Sequence, residues 1–120
     1  MALQQFLMRG DNADTVHTPW MRSRGNTARC FMKMIYGSIT GSGKFMWTVE
    51  TKNTEDVDSS ATTVVSQQYG ATGLPAIKEA VTTSGMKELY RYVFSLDTNA
   101  AEGDYMWYQC MDPIWQPTYA

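Results

Sequence analysis

Phe45-Met46-Trp47-Thr48-Val49-Glu50-Thr51-Lys52 is the stretch on which the fold turns, because large apolar side chains alternate there with polar or flexible ones. Successive side chains of a β-strand point to opposite faces. Phe45, Trp47 and Val49 therefore share one face, and Met46, Thr48, Glu50 and Lys52 the other. The pattern predicts a half-buried strand with the first trio in the core. The glycine-bearing turn Thr40-Gly41-Ser42-Gly43-Lys44 precedes it. Before that turn, Cys30-Phe31-Met32-Lys33-Met34-Ile35-Tyr36 lies within Arg29 to Ile39 and is apolar on both faces except at Lys33, which predicts a central strand. A short glycine-rich connection between two strands predicts that they pair as an antiparallel hairpin.

Downstream, the polar and acidic residues 53–60 read as a loop and Ala61 to Ser66 as a strand, followed by a glycine-bearing loop from Gln67 to Pro75. Ala76 to Val81 is too short to hold a helix alone and reads as a strand. Ser84-Gly85 makes a break. Leu89 to Leu96 then alternates, with Tyr90, Tyr92, Phe94 and Leu96 on one face. Tyr105 to Met111 is the last expected strand, with Tyr105, Trp107 and Gln109 opposing Met106, Tyr108 and Cys110. Pro113 cannot donate to a ladder and is expected to close the sheet. Short strands between Gly, Ser and Asn turns, with no convincing amphipathic helix, predict two packed sheets. The fold class is all-β: an antiparallel β-sandwich, jelly-roll-like, of about six to eight short strands, with a partly closed barrel as the second architecture.

The ends read differently from the middle. Residues 1–8 suit a short strand or an arm, and a turn at 9–14 ends it. A long connection to about residue 28 carries His17, Pro19 and Trp20 without strong periodicity. Residues 1–28 are thus expected to be an interaction arm, residues 29–112 the sandwich, and residues 113–120 an extended tail. Two prolines make that tail cheap to order, and Ile114, Trp115 and Tyr119 supply apolar anchors for its own sheet or for a neighbouring subunit. The candidate partner-binding residues are Trp20, Arg22, Arg24, Ile114, Trp115 and Tyr119.

A chain of 120 residues has room for one domain and buries roughly two thirds of its unfolded surface, enough for a core without metal or disulfide staples. Its net charge of -2 gives no global attraction to nucleic acid or to an anionic membrane, so the expected partners are proteins. The charge is uneven: residues 1–50 carry six basic and three acidic side chains, and residues 51–120 carry four basic and nine acidic. Arg22, Arg24, Arg29 and Lys33 form the basic focus, either a docking arm for an acidic surface or ordinary solvated charge. Nine methionines suit adaptable packing surfaces. Cys30 and Cys110 read as small buried hydrophobes, and a disulfide between them is left open. Met1 to Met8 lacks the basic start and the continuous apolar run of a signal peptide or membrane span, so the protein is expected to be made and kept in a cytoplasm.

No catalytic, cofactor or metal site is expected. A phosphate-binding loop ending at Gly43-Lys44 would need glycine where Ser38 stands and Ser or Thr where Phe45 stands, and a helix rather than a strand after it. His17 is the only histidine, and nothing marks a nucleophile beside it. Glu50, Glu55, Asp56 and Asp58 lack the glycine and terminal glutamate of a calcium loop and read as a solvated acidic loop. Trp107 and Tyr108, and Tyr90 and Tyr92 with Arg91, read first as sandwich packing and then as a protein interface.

The succession Gly41-Ser42-Gly43, Trp47 to Thr54, Lys87 to Phe94 and Pro113-Ile114-Trp115-Gln116-Pro117 resembles small β-sandwich structural proteins of tailed-phage particles over about residues 30–120. The resemblance implies a capsid decoration or cement protein. Such proteins commonly sit as trimers over capsid-lattice junctions and clamp neighbouring subunits. It implies a homo-oligomer, trimeric by preference, whose partner is the major capsid protein and whose place is the virion, after synthesis in the bacterial host cytoplasm. The other readings are a tail or head-to-tail connector component, and a carbohydrate-binding module using Trp107, Tyr108 or Trp115.

Overall fold

The computed structural model describes residues 4–9, 15–39, 43–69, 78–96 and 104–116. These residues form β1 (Gln4–Arg9), β2 (Thr15–His17), β3 (Met21–Arg22), β4 (Thr27–Ser38), β5 (Phe45–Lys52), β6 (Thr62–Tyr69), β7 (Lys78–Thr83), β8 (Leu89–Leu96) and β9 (Tyr105–Gln116), with a single 3-10 turn at Asp58–Ser60. The turn at Thr40 to Ser42, the stretches 70–77 and 97–103, and Tyr119 lie outside the described residues.

The chain is all-β, two antiparallel sheets packed face to face. One has the order β1-β9-β4-β7 and the other β2-β8-β5-β6, with β3 also on β8. β2 and β3 behave as one interrupted edge strand. Between them the Thr18 N–H donates to the Tyr92 carbonyl (3.0 Å), and the Tyr92 N–H donates to Thr18 Oγ1 (2.9 Å). The ladder breaks at Pro19, which has no N–H to give and is tolerated on an edge. With β2 and β3 counted together the antiparallel pairs nest: β1 with β9, β2/β3 with β8, β4 with β7, and β5 with β6. One long hairpin rolled across two sheets in this way is a jelly roll.

The nesting corrects the expected hairpin between Arg29–Ile39 and Phe45–Lys52. β4 pairs with β7 and β9, whereas β5 pairs with β6 and β8, so these consecutive strands belong to different sheets. Alternation identifies a strand and its buried face but not its neighbour. Within the long connection before residue 28, the short strands β2 and β3 pair with β8 at the sheet edge.

The inward faces fit by size. Sheet β2-β8-β5-β6 contributes Phe45, Trp47, Val49, Tyr90, Tyr92, Phe94 and Leu96, all buried, while β4 and β9 contribute the smaller or more pliable Ala28, Cys30, Met32, Met34, Met106 and Cys110 together with Tyr108. Tyr108 crosses the gap to meet Phe94 at 4.3 Å and Phe45 at 5.0 Å in tilted ring contacts, and the Tyr92 hydroxyl donates to the Met111 carbonyl (3.3 Å). Each large side chain buried here contributes about 1.5–3 kcal/mol. Cys30 and Cys110 are fully buried and are not joined by a disulfide.

Two bulges shape the β4·β9 ladder. Arg29 faces Ile114 and Phe31 faces Met111, so Asp112 and Pro113 together stand against Cys30. Pro113 therefore does not close the sheet. It occupies an irregularity where no ladder donor is needed, and β9 runs on to Gln116. The second bulge leaves Ile35 extra on β4, since Met34 faces Tyr108 and Tyr36 faces Trp107. It reverses the alternation: even-numbered residues to Met34 point inward, whereas Tyr36 is exposed and Ile39 buried.

Candidate interaction surfaces

The outer faces of the two sheets are unlike. On sheet β2-β8-β5-β6 the outward face mixes Met46, Leu89 and Val93 with polar residues that knit together. Thr48 and Ser66 share a hydroxyl hydrogen bond (3.2 Å), and the Arg91 Nε donates to Glu50 Oε1 (2.8 Å). Trp20 straps over this face. Its indole N–H donates to Asp58 Oδ1 (3.0 Å), and its ring covers the Arg91 guanidinium at 4.4 Å and the Lys52 ammonium at 4.9 Å. Lys52 in turn donates to Asp58 Oδ1 (2.8 Å) and to the Asp56 carbonyl (2.9 Å). The Lys52 hydrogen bond holds the Asp58 carboxyl below its ordinary value, against an opposing desolvation effect. The acidic loop is thus tied to β5 and β8 by two cations and an indole, an arrangement that charge counting along the sequence does not reveal.

On sheet β1-β9-β4-β7 the outward face carries two apolar groups, separated by the polar pair Lys33 and Gln109 that face each other in register. The register sets Leu7 of β1 and Tyr36 of β4 directly against Trp107 of β9. All three are exposed, at 64% for Leu7, 56% for Tyr36 and 42% for Trp107. Tyr105 stacks on Tyr36 at 6.0 Å. Further along the same face lie half-buried Phe31 and Met111, paired in register, then exposed Ile114 opposite Arg29; the Arg29 guanidinium sits 5.8 Å from the Phe31 ring. Opposed cross-strand side chains lie close enough to form one surface, so Leu7, Trp107 and Tyr36 make an exposed apolar group of the kind found at interaction sites. The β9 alternation already placed Trp107 away from Met106, Tyr108 and Cys110. What it lacked was Leu7 and Tyr36 as neighbours, the latter turned outward only by the bulge.

A third surface lies at one end of the sandwich, where β3 and the end of β9 approach each other. A pocket of about 330 Å³ opens there between Arg22, Arg24, Tyr90, Asp112 and Trp115, closed by Met21 and Pro113. β3 brings Arg22 to this place by pairing with Leu89. The Ser23 N–H bond to the Glu88 carbonyl (2.8 Å) fixes the turn that carries Arg24. Trp115 is half-buried and meets Tyr90 edge to face at 5.3 Å. Burial, with the charge of Asp112 next, pushes the Tyr90 hydroxyl up to about 12.

The structure therefore brings Arg22, Arg24 and Trp115 together from opposite ends of the chain. It separates them from Ile114, which points out on the β1-β9-β4-β7 face, and from Trp20, whose ring is committed to Lys52, Arg91 and Asp58. Tyr119 lies outside the described residues. Among the described residues no group of three or more His, Cys, Asp and Glu side chains is placed to hold a metal ion, and no helix is long and apolar enough to cross a membrane. Comparison with known protein families, with curated proteins and with solved structures finds no match.

Proposed function

We propose that this chain is a non-enzymatic structural protein of a tailed-phage virion, a capsid decoration protein that self-associates, by preference as a trimer, and binds the major capsid protein. Jelly rolls serve in viral capsids and also in lectins and cupins, so topology alone does not choose among these roles. The observation that carries the reading is the outward group Leu7-Trp107-Tyr36, with a second apolar group of Phe31, Met111 and Ile114 beside Arg29 beyond the polar pair of Lys33 and Gln109. Aromatic, Met and Arg side chains are the types enriched at protein interfaces. The resemblance to decoration proteins set out above supplies the identity of the partner. The mechanism is added contact across subunit junctions: a protein that binds only the assembled shell shifts the equilibrium toward that shell.

The test is to strip the protein from purified particles, measure their resistance to heat, and add it back. Lost resistance that the added protein restores supports the role. Stripped particles that are no less stable and do not rebind the protein would sink it. A ring of six or twelve copies, seen by electron microscopy on the particle, would move the protein to the head-to-tail connector.

A further inference from the structure

We propose that the pocket at the end of the sandwich binds a carboxylate-bearing sugar unit, with Arg22 and Arg24 holding the carboxylate, Asp112 accepting from ring hydroxyls, and Trp115, backed by the buried Tyr90, receiving the apolar face of the ring. The inference is independent of the capsid role and concerns a surface apart from the Leu7-Trp107-Tyr36 stripe.

Three observations carry it. The first is charge: two exposed guanidiniums converge on one pocket, and neither forms an ion pair among the described residues. Guanidinium forks match carboxylates in a bidentate fashion. The second is the aromatic corner. Trp115 and Tyr90 are set 68° apart at 5.3 Å, and both line the pocket. Tyr90 is buried and holds Trp115 edge to face, so the half-buried indole is the fixed apolar surface on which a compact ring carrying aliphatic C–H groups would lie. The third is Asp112, whose carboxylate has about four acceptor sites and lies in the same pocket as the two arginines. A simple inorganic anion would be opposed by that carboxylate, whereas a ligand with both a carboxylate and hydroxyl donors uses both halves of the site. A volume of about 330 Å³ is at the lower end of the range for small-molecule sites and suits one monosaccharide unit.

Heteronuclear NMR titration of the full chain tests the proposal with four probes: methyl glucuronide, the methyl glycoside of N-acetylneuraminic acid, neutral methyl glucoside, and an acetylated glutamate peptide. Saturable shifts of the Trp115 indole N–H with at least one acidic glycoside, and at least about tenfold weaker binding of methyl glucoside, are expected. Arg22→Gln and Arg24→Gln are expected to weaken the acidic glycoside about tenfold each, the loss of one charge-assisted hydrogen bond, without lowering the thermal midpoint. Binding of the neutral glucoside as tight as the acidic ones would overturn the carboxylate role. A glutamate peptide that binds more tightly than either glycoside would reassign the pocket to acidic peptides. Absence of a shift with every probe at the highest soluble concentration would remove the site.

Discussion

Gly37→Ala should destabilise the protein although glycine to alanine inside a strand ordinarily helps. The bulge at Ile35 turns Gly37 toward the core, where a β-carbon would stand 2.8 Å from Met106 Sδ, 2.9 Å from Met106 Cε and 3.2 Å from the Tyr105 carbonyl oxygen. Met106 is fully buried, so its thioether end has no solvent to swing into. Forcing one extra carbon into a well-packed core costs about 1–3 kcal/mol. The reduced freedom of the unfolded chain returns about 0.4–1 kcal/mol. The net expectation is a loss of about 1–2 kcal/mol, or a fall in thermal midpoint of about 4–8 °C for a domain near this size. The decisive assay is a double-mutant cycle by urea or thermal unfolding with Met106→Val, which removes both clashing atoms. In that background Gly37→Ala should cost clearly less than in the parent, with only the 3.2 Å approach to the Tyr105 carbonyl oxygen remaining. An equal cost in both backgrounds, or a Gly37→Ala protein as stable as the parent, would refute the bulge-driven contact with Met106.

Acid should act in part through Asp58. Its carboxyl is held low by Lys52, so its folded value lies below its unfolded one, about 4. Its stabilising contribution is then complete above the unfolded value and disappears as pH falls through the folded one. The gap in thermal midpoint between the parent and Asp58→Asn should narrow in acid, and a gap that stays constant with pH would count against the Lys52-Asp58 contact. Burial pushes the Cys30 thiol up and the Cys110 thiol up to about 11. Neither should react with a thiol reagent in the native protein at neutral pH, and both should do so in denaturant; rapid native labelling would contradict the packing of β4 against β9.

The strands were legible wherever alternation is strict. Phe45, Trp47 and Val49 are buried as the pattern requires, as are Tyr90, Tyr92, Phe94 and Leu96, and Met106, Tyr108 and Cys110. The edge strands β2 and β3 were not legible, because segments of three and two residues interrupted at Pro19 are too short to show a period. Nor was the partner of β4: a jelly roll pairs strands from opposite halves of the chain, and local pattern holds no trace of that choice. The bulges hid the outward turn of Tyr36 and the passage of β9 through Pro113, since an extra residue alters the phase that alternation assumes. Among the candidate site residues, Arg22, Arg24 and Trp115 were singled out separately as features of two chain ends. Their meeting in one pocket depends on β3 and β9 reaching the same end of the sandwich. Trp20 looked like an exposed anchor because its partners Lys52, Asp58 and Arg91 are distant in sequence.

The central claim is that the outer face of β1, β9 and β4 is the docking surface, and Trp107→Lys probes it most directly. Trp107 points to solvent from the middle of that stripe, so the variant should fold with an unchanged thermal midpoint. A central aromatic anchor contributes about 2 kcal/mol or more to an interface, a loss of roughly thirtyfold in affinity. Rebinding of the parent and of Trp107→Lys to stripped particles should therefore differ, the parent restoring full occupancy and the variant requiring at least about thirtyfold more protein. Equal occupancy at equal concentration would contradict the account.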